Sequence, residues 1–273
     1  GGIKQDLSDF GVEFEFWTSE RALIASGEVE KTLKFLEEKK ESYYKDGALW
    51  FKSSDKGDEK DRVIIKSDGS RTYLATDIAY HKQKVERGYE MLVNILGADH
   101  HGYVPRLKAA VEAMGHKRDS LKALLIQMVN LLRAGERVSM STRSGEFVTL
   151  REIIDEVGKD AARFFYMQRR HDAQLDFDLE LAKKQSHENP VYYVQYMHAR
   201  IASVFRAAEE KRVKLPENWE DVDLSPLTLD EERAIMLQVL RLPEIVEEAA
   251  RDLEPHRLTS YLTELASKFH HYY

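Results

Sequence analysis

Three short stretches of this 273-residue chain place chemically capable groups at spacings a folded site could use. The first is Gly97-Ala98-Asp99-His100-His101-Gly102-Tyr103, which directly follows an apolar run at 91–97. In open α/β sheets, ligands gather at the carboxyl ends of strands, where this stretch falls. Gly97 leaves room for a ligand beside the backbone, Asp99 can accept from a ribose hydroxyl, and His100 and His101 can donate or accept. A plain strand-to-helix turn with Asp99 as the helix cap is the alternative. Adjacent histidines also raise the question of a metal, but no third and fourth ligand stands at suitable spacing, so none is expected. The second stretch is Val138-Ser139-Met140-Ser141-Thr142-Arg143-Ser144-Gly145. Hydroxyls, a glycine and an arginine suit a mobile phosphate clamp, because a guanidinium donates two parallel bonds to phosphate. A solvated surface loop has the same composition. The third is Thr72-Tyr73-Leu74-Ala75-Thr76-Asp77. If Asp77 faces a cleft its carboxylate calls for a cation; otherwise it caps its own helix.

The elements that must position these groups are legible in the hydrophobic pattern. Residues 19–38 carry Leu23, Ile24, Val29, Leu33 and Leu36 at three- and four-residue steps and predict one helix. Residues 53–61 are polar and charged, a loop with little to bury. Val63-Ile64-Ile65 predicts a strand, Ser67-Asp68-Gly69-Ser70 a turn, and Thr72-Tyr73-Leu74 a second strand. The 91–97 run predicts a parallel strand buried on both faces. A helix over 104–114 follows, with Gly115 as its C-terminal cap, and then another apolar run at 124–129. Strand, helix, strand is the signature of a parallel α/β sheet. From about residue 150 the strand patterns cease. Asn189-Pro190 marks a helix start, cap then first turn, with Val191, Val194, Met197, Ile201 and Phe205 on one stripe. Two further helices are expected at about 229–253 and 255–273.

Composition narrows the class. With 42% hydrophobic and 33% charged residues the chain reads as globular, and no apolar run approaches the roughly 20 residues needed to span a bilayer. No membrane partner is therefore expected. The absence of cysteine excludes disulfides and thiolate zinc sites, and a cytoplasmic location is the simplest reading. The net charge of −7 argues against indiscriminate nucleic-acid binding. Its distribution is uneven: 217–254 carries −9, whereas 117–151 carries +4. That pattern permits a specific nucleic-acid contact through the basic middle, with the acidic stretch turned away from phosphate.

The motifs also carry a family resemblance. Gly97-Ala98-Asp99-His100-His101-Gly102-Tyr103-Val104-Pro105-Arg106-Leu107-Lys108 resembles the segment after a core strand in bacterial arginyl-tRNA synthetases. Met140-Ser141-Thr142-Arg143-Ser144-Gly145-Glu146-Phe147-Val148-Thr149-Leu150 resembles that family's degenerate version of the class I K-M-S-K-S loop. Asp46-Gly47-Ala48-Leu49-Trp50-Phe51, Lys66-Ser67-Asp68-Gly69-Ser70, Asp160-Ala161-Ala162-Arg163-Phe164, Leu175-Asp176-Phe177-Asp178 and Asn189-Pro190-Val191-Tyr192-Tyr193-Val194-Gln195-Tyr196 match in order. The match runs from about Asp6 to the end.

The resemblance implies an α/β part followed by an all-α part. Residues 1–150 would form a partial Rossmann-like parallel sheet, the C-terminal half of a class I catalytic domain with an insertion. Residues 151–188 would be a helical connecting region, and 189–273 a helical-bundle anticodon-binding domain, itself truncated. By the same resemblance Glu20 and Asp77 are the carboxylates that meet the arginine guanidinium, Tyr73 is their aromatic partner, and His100 lines the same pocket. Gly97 and Asp99 fall near the ATP ribose, and Met140, Ser141 and Arg143 in the loop around the ATP phosphates. Gln195, Tyr196 and Arg200 fall where tRNA is met, although tyrosines at helical spacing also fill cores. The implied partners are arginine, ATP with Mg²⁺ and tRNA(Arg), without zinc or an organic cofactor, in a protein monomeric at full length.

The sequence departs from the class I pattern in two places. Ser139 and Thr142 stand where the general loop carries lysines. No H-I-G-H motif occurs in the 273 residues, so the chain is expected to be a fragment unable to form the adenylate alone. A cysteine-specific class I synthetase is disfavoured by the missing cysteines. A non-catalytic tRNA-binding protein derived from a synthetase is the remaining alternative.

Overall fold

The computed structural model describes residues 2–138 and 148–273. The chain divides into two compact units, Phe14–Gln127, and Gly1–Glu13 with Met128–Tyr273. The opening helix α1 (Gly2–Asp9) belongs to the latter, held by Arg151 donating to Asp6 at 2.8 Å and pairing with Asp9.

In the 14–127 unit, the helix expected over 19–38 is two helices, α2 (Glu20–Ala25) and α3 (Glu28–Glu38). Gly27 separates them at φ 75°, a left-handed value that glycine takes without steric cost. A three-stranded antiparallel sheet follows, β1 (Ser42–Lys45), β2 (Ala48–Phe51) and β3 (Arg62–Ile65). Asp46 and Gly47, at φ 52° and 75°, make the tight turn between its first two strands. The loop at 53–61 contradicts its expectation. Ser53 is fully buried and Asp58 nearly so, and the Asp58 carboxylate accepts two bonds from Arg62 at 2.7 Å and one from Ser53 at 2.9 Å. This loop buries charge because the charge is paired.

The strand expected at 72–74 is likewise absent. Thr72 caps helix α4 (Tyr73–Glu86), and the local backbone bridge is Ile65 to Arg71. Burial overrides the β-propensity of Thr72 and Tyr73: Leu74, Ala75, Ile78 and Ala79 bury one face of α4 against α3 and the small sheet. Strand β4 (Leu92–Gly97), helix α5 (Val104–Ala113) and strand β5 (Leu121–Ile126) form the expected parallel unit, Leu92 opposite Leu121 through Gly97 opposite Ile126. Gly115 follows α5 at φ 85°, as its cap role requires. Burial of β4 on both faces is not found within this unit. Leu92 and Asn94 point inward, while Val93 and Ile95 are 38% and 68% exposed.

The apolar run at 124–129 holds the end of β5 and, in the other unit, the beginning of β6 (Val129–Arg133), which pairs with the two-residue β7 (Glu136–Arg137). Strands do not cease at 150. After α6 (Leu150–Val157) and α7 (Lys159–Tyr166), β8 (Leu175–Asp178) pairs in parallel with β6. Its alternation, Leu175 and Phe177 buried and Asp176 out, places Phe177 5.0 Å from Phe165 in the core. Helix α8 (Leu179–Lys183) leads to α9 (Pro190–Glu210). Asn189 caps α9 as expected, accepting from Val191 N–H at 3.1 Å and donating to the carbonyls of Ala182 and Lys184. The helix expected at 229–253 is α10 (Asp230–Leu240) and α11 (Leu242–Asp252). Pro243 divides them because it donates no backbone bond to the preceding turn. Helix α12 (His256–Tyr272) packs against α9, α10 and α11. No helix among the described residues is long and apolar enough to cross a membrane.

Candidate functional site

The site in the 14–127 unit is built around the first turns of α4. Strand β3 runs into a turn at 66–70, closed by Lys66 N–H to the Ser70 carbonyl at 2.8 Å and by Ser70 N–H to the Asp68 side chain at 2.8 Å. Thr72 then donates its hydroxyl to the Val63 carbonyl at 2.9 Å, which fixes where α4 begins relative to the sheet. Helix α2 is started by Ser19, whose hydroxyl accepts from Ala22 N–H at 3.3 Å and sets Glu20 in the first helical turn. Between these pieces lies a cleft of about 700 Å³ lined by Glu20, Ile24, Lys66, Gly69, Ser70, Arg71, Thr72, Tyr73 and Thr76. Two residues expected at one site, Glu20 and Tyr73, thus share one cleft. Tyr73 is 83% exposed and so available to a ligand, while Arg71 is occupied by an ion pair with Glu30. A carboxylate, an aromatic face and the Lys66 ammonium in one cleft complement a ligand with cationic and anionic ends.

Asp77 lies one helical turn beyond Tyr73, on the same side of α4. It caps nothing: Thr72 holds the cap position, and the Asp77 carboxylate Oδ2 instead accepts from the Tyr103 hydroxyl at 2.5 Å. Burial, then that bond, pushes the Tyr103 phenol well above the usual tyrosine range. Tyr103 also meets the His100 ring edge-on, with centroids 6.4 Å apart. Tyr103 therefore joins Asp77 to His100, the other two residues of the expected pocket, and sequence reasoning missed it. The signal was available in the 97–103 stretch, which Tyr103 ends.

Beneath Asp77 lies a buried polar chain. His81 directs Nδ1 to the Asp77 carbonyl at 2.8 Å and Nε2 to the Asn94 amide nitrogen at 2.7 Å. A ring nitrogen facing a carbonyl must be the donor, so Nδ1 carries the proton and Nε2 accepts. Asn94 in turn accepts from Lys84 at 2.8 Å. Burial lowers the His81 pKa, and burial followed by nearby Arg87 lowers that of Lys84.

Gly97 ends β4 with Asp99 beside it, and the Asp99 side chain is 84% exposed. Asp99 caps neither the short turn at 98–103 nor α5, so the capping alternative fails; it pairs with His100 at 3.8 Å. Met140, Ser141 and Arg143 lie outside the described residues. No cluster of three or more metal-ligating side chains occurs among the described residues.

In the other unit, Tyr196 and Arg200 line an aromatic pocket of about 310 Å³ with His187, Tyr192, Tyr193 and His270. Tyr196 stacks on Tyr192 at 5.7 Å, and the Arg200 guanidinium lies 4.6 Å from the Tyr196 ring and 4.7 Å from that of Tyr273. Tyr196 is 41% exposed, so it is not a core residue. Gln195 is not part of this pocket; it lines a neighbouring cleft with Lys183, Lys184 and Tyr192.

The family profile described as tRNA synthetases class I (R), catalytic domain, matches residues 12–202. The chain belongs to the class I arginyl-tRNA synthetases. A second profile, the DALR anticodon binding domain, matches residues 194–273 of this synthetase chain. The arginine–tRNA ligase of Syntrophotalea carbinolica is 56% identical over 272 residues, covering 100% of this chain and 49% of the relative. That of Desulfosudis oleivorans is 54% identical over 273 residues, again covering 100% and 49%. The synthetase chain therefore spans about half the length of the curated relatives it matches. A solved structure from Campylobacter jejuni is 39% identical with a TM-score of 0.89, over 99% of this chain and 58% of that one. The Thermus thermophilus arginyl-tRNA synthetase, at 24% identity and a TM-score of 0.79 over 98% of this chain and 54% of its own, shares the fold.

Proposed function

We propose that this chain is the arginine-recognising and tRNA-binding part of an arginine–tRNA ligase. The observation that carries the proposal is the cleft at the start of α4, where Glu20 and Tyr73 meet with Asp77 one turn away, in a chain of this family. Arginine presents a permanent, forked cation, and two carboxylates with an aromatic wall are the groups that recognise one.

The proposed reaction has two steps. A carboxylate oxygen of arginine attacks the α-phosphorus of ATP, and pyrophosphate leaves. A terminal ribose hydroxyl of tRNA(Arg) then attacks the adenylate carbonyl, and AMP leaves. No side chain becomes acylated, so catalysis rests on positioning and on stabilising charge at the transferring group. Mg²⁺ accompanies ATP as part of the substrate. In this reading Glu20, Tyr73, Asp77 and His100 hold arginine, Gly97 and Asp99 face the ATP ribose, and Met140, Ser141 and Arg143 embrace the phosphates. Tyr196 and Arg200 offer an unpaired tRNA base a stacking surface, and Gln195 a polar edge beside it. The working division is catalytic for 1–150, connecting for 151–188 and anticodon-binding for 189–273, in a cytoplasmic protein monomeric at full length.

The test is arginine attachment to unfractionated tRNA, with ATP and Mg²⁺, by the full-length gene product and by this chain side by side. Charging by the full-length product and none by this chain is the expected result. A full-length product that binds tRNA but attaches no arginine would establish the non-catalytic alternative and remove these assignments.

A further inference from the structure

We infer that Tyr103 is a positioning residue for arginine recognition, holding the Asp77 carboxylate so that its second oxygen is presented to the guanidinium. The inference rests on the proposed role of Asp77 in meeting arginine. An aspartate near a helix start can rotate about its side-chain bonds, and a forked cation is bound well by a carboxylate already turned toward it. The Tyr103 hydroxyl removes that freedom by donating to Oδ2 at 2.5 Å. Among the described residues nothing donates to Oδ1.

Tyr103 can act as a fixed support because it is itself held. It sits at the end of the short turn that follows β4, its ring packs against the cores on both sides of that turn, and the Arg106 guanidinium lies 5.3 Å from its ring centre. Strand β4 itself reaches Asp77 by a second route. Asn94 of β4 donates to His81, and His81 donates to the Asp77 carbonyl. Two hydrogen-bonded links from β4 and its following turn thus fix one residue of α4, one through its side chain and one through its backbone. The same tyrosine meets the His100 ring edge-on, with centroids 6.4 Å apart, and so contacts a second residue proposed to hold arginine.

The experiment is Tyr103→Phe in the full-length gene product, which keeps the ring and deletes the hydroxyl. A hydrogen bond to a charged group corresponds to roughly tenfold or more in binding. The KM for arginine should rise about tenfold, with kcat and the KM for ATP moving less than about twofold. In an Asp77→Asn background the same substitution should move the arginine KM less than about twofold, because the two residues act as one unit. An unmoved arginine KM overturns the inference. So do additive effects in the two backgrounds, or a general loss of kcat that tracks a lowered melting temperature. A wild-type protein that attaches no arginine overturns the functional proposal first and this inference with it; an active wild type with an unaffected Tyr103→Phe overturns this inference alone.

Discussion

Replacing Asp58 with asparagine should unsettle the sheet that leads into the cleft at the start of α4. The Asp58 side chain is 1% exposed and that of Arg62 15%. Arg62 donates to both carboxylate oxygens at 2.7 Å, Ser53 donates to one at 2.9 Å, and Glu59 N–H to the other at 2.8 Å. Asp58→Asn keeps the volume, removes the charge and turns an amide NH₂ toward a guanidinium that has little water to fall back on. Breaking one side of a buried pair costs about 3–5 kcal/mol. Arg62 retains some access to solvent, so the lower end, about 3 kcal/mol, is the expectation. For a unit near a hundred residues that is a melting shift of order 10 °C. Trp50 of β2, paired with Val63 of β3, reports the transition by fluorescence once Trp17 and Trp219 are changed to phenylalanine. The bonds from Arg62 hold the Asp58 carboxyl below its ordinary value. Its contribution is therefore complete above the unfolded aspartate value of about 3.9 and disappears as pH falls through the lower folded value. Wild type and variant should converge on acidification. A loss under about 0.5 kcal/mol at neutral pH, within the range of ordinary surface substitutions, would refute the account.

His81 is buried with a lowered pKa, so below the unfolded histidine value of about 6.5 the unfolded chain takes up a proton that the folded one refuses, and stability declines as pH falls from there. Imidazole NMR shifts of His81 followed through a pH titration check this; a midpoint at or above 6.5 contradicts it. Arg200→Lys keeps the charge but loses the planar contact with the rings of Tyr196 and Tyr273. It should weaken tRNA binding about tenfold at fixed salt, as should Tyr196→Ala. Unchanged tRNA affinity in both variants would remove this pocket from the tRNA surface.

Local chemistry was legible in the sequence and non-local chemistry was not. Asn189 and Pro190 start α9 because a cap and a first-turn proline act within a few residues of themselves. Gly115 closes α5 for the same reason. The parallel pairing of β4 with β5 follows from an apolar run, a helix and a second run. The Asp46-Gly47 hairpin could have been read too, since Asp-Gly between β-forming residues is a strong turn signal. Against these, Thr72-Tyr73-Leu74 carries β-propensity yet enters a helix, because Leu74, Ala75 and Ile78 are buried at helical spacing. Strand β8 is four residues between helices, too short to stand out until β6 pairs with it. The 53–61 loop reads as solvated by composition, and Arg62 buries it by neutralising Asp58.

The site divides along the same line. Asp77 can be named from the sequence as a carboxylate suited to a cation, and Glu20 from the family resemblance. What makes a carboxylate selective is the group that orients it, and that group comes from elsewhere in the chain. Tyr103 reaches Asp77 across 26 residues, and Asn94 reaches His81 across 13. Neither bond leaves a periodic trace, because each depends on how β4 is placed beside α4, and hydrophobic burial decides that placement. Leu92, Leu107, Val111 and Leu121 hold the strands against α5, and Ala109 and Ala110 of α5 pack with Ala75, Ile78 and Ala79 of α4. These small residues let the two helices approach closely enough for Tyr103 to reach Asp77. Enlarging one of the two α5 alanines would therefore act on the proposed arginine recognition from a distance, by lengthening a hydrogen bond that the core sets.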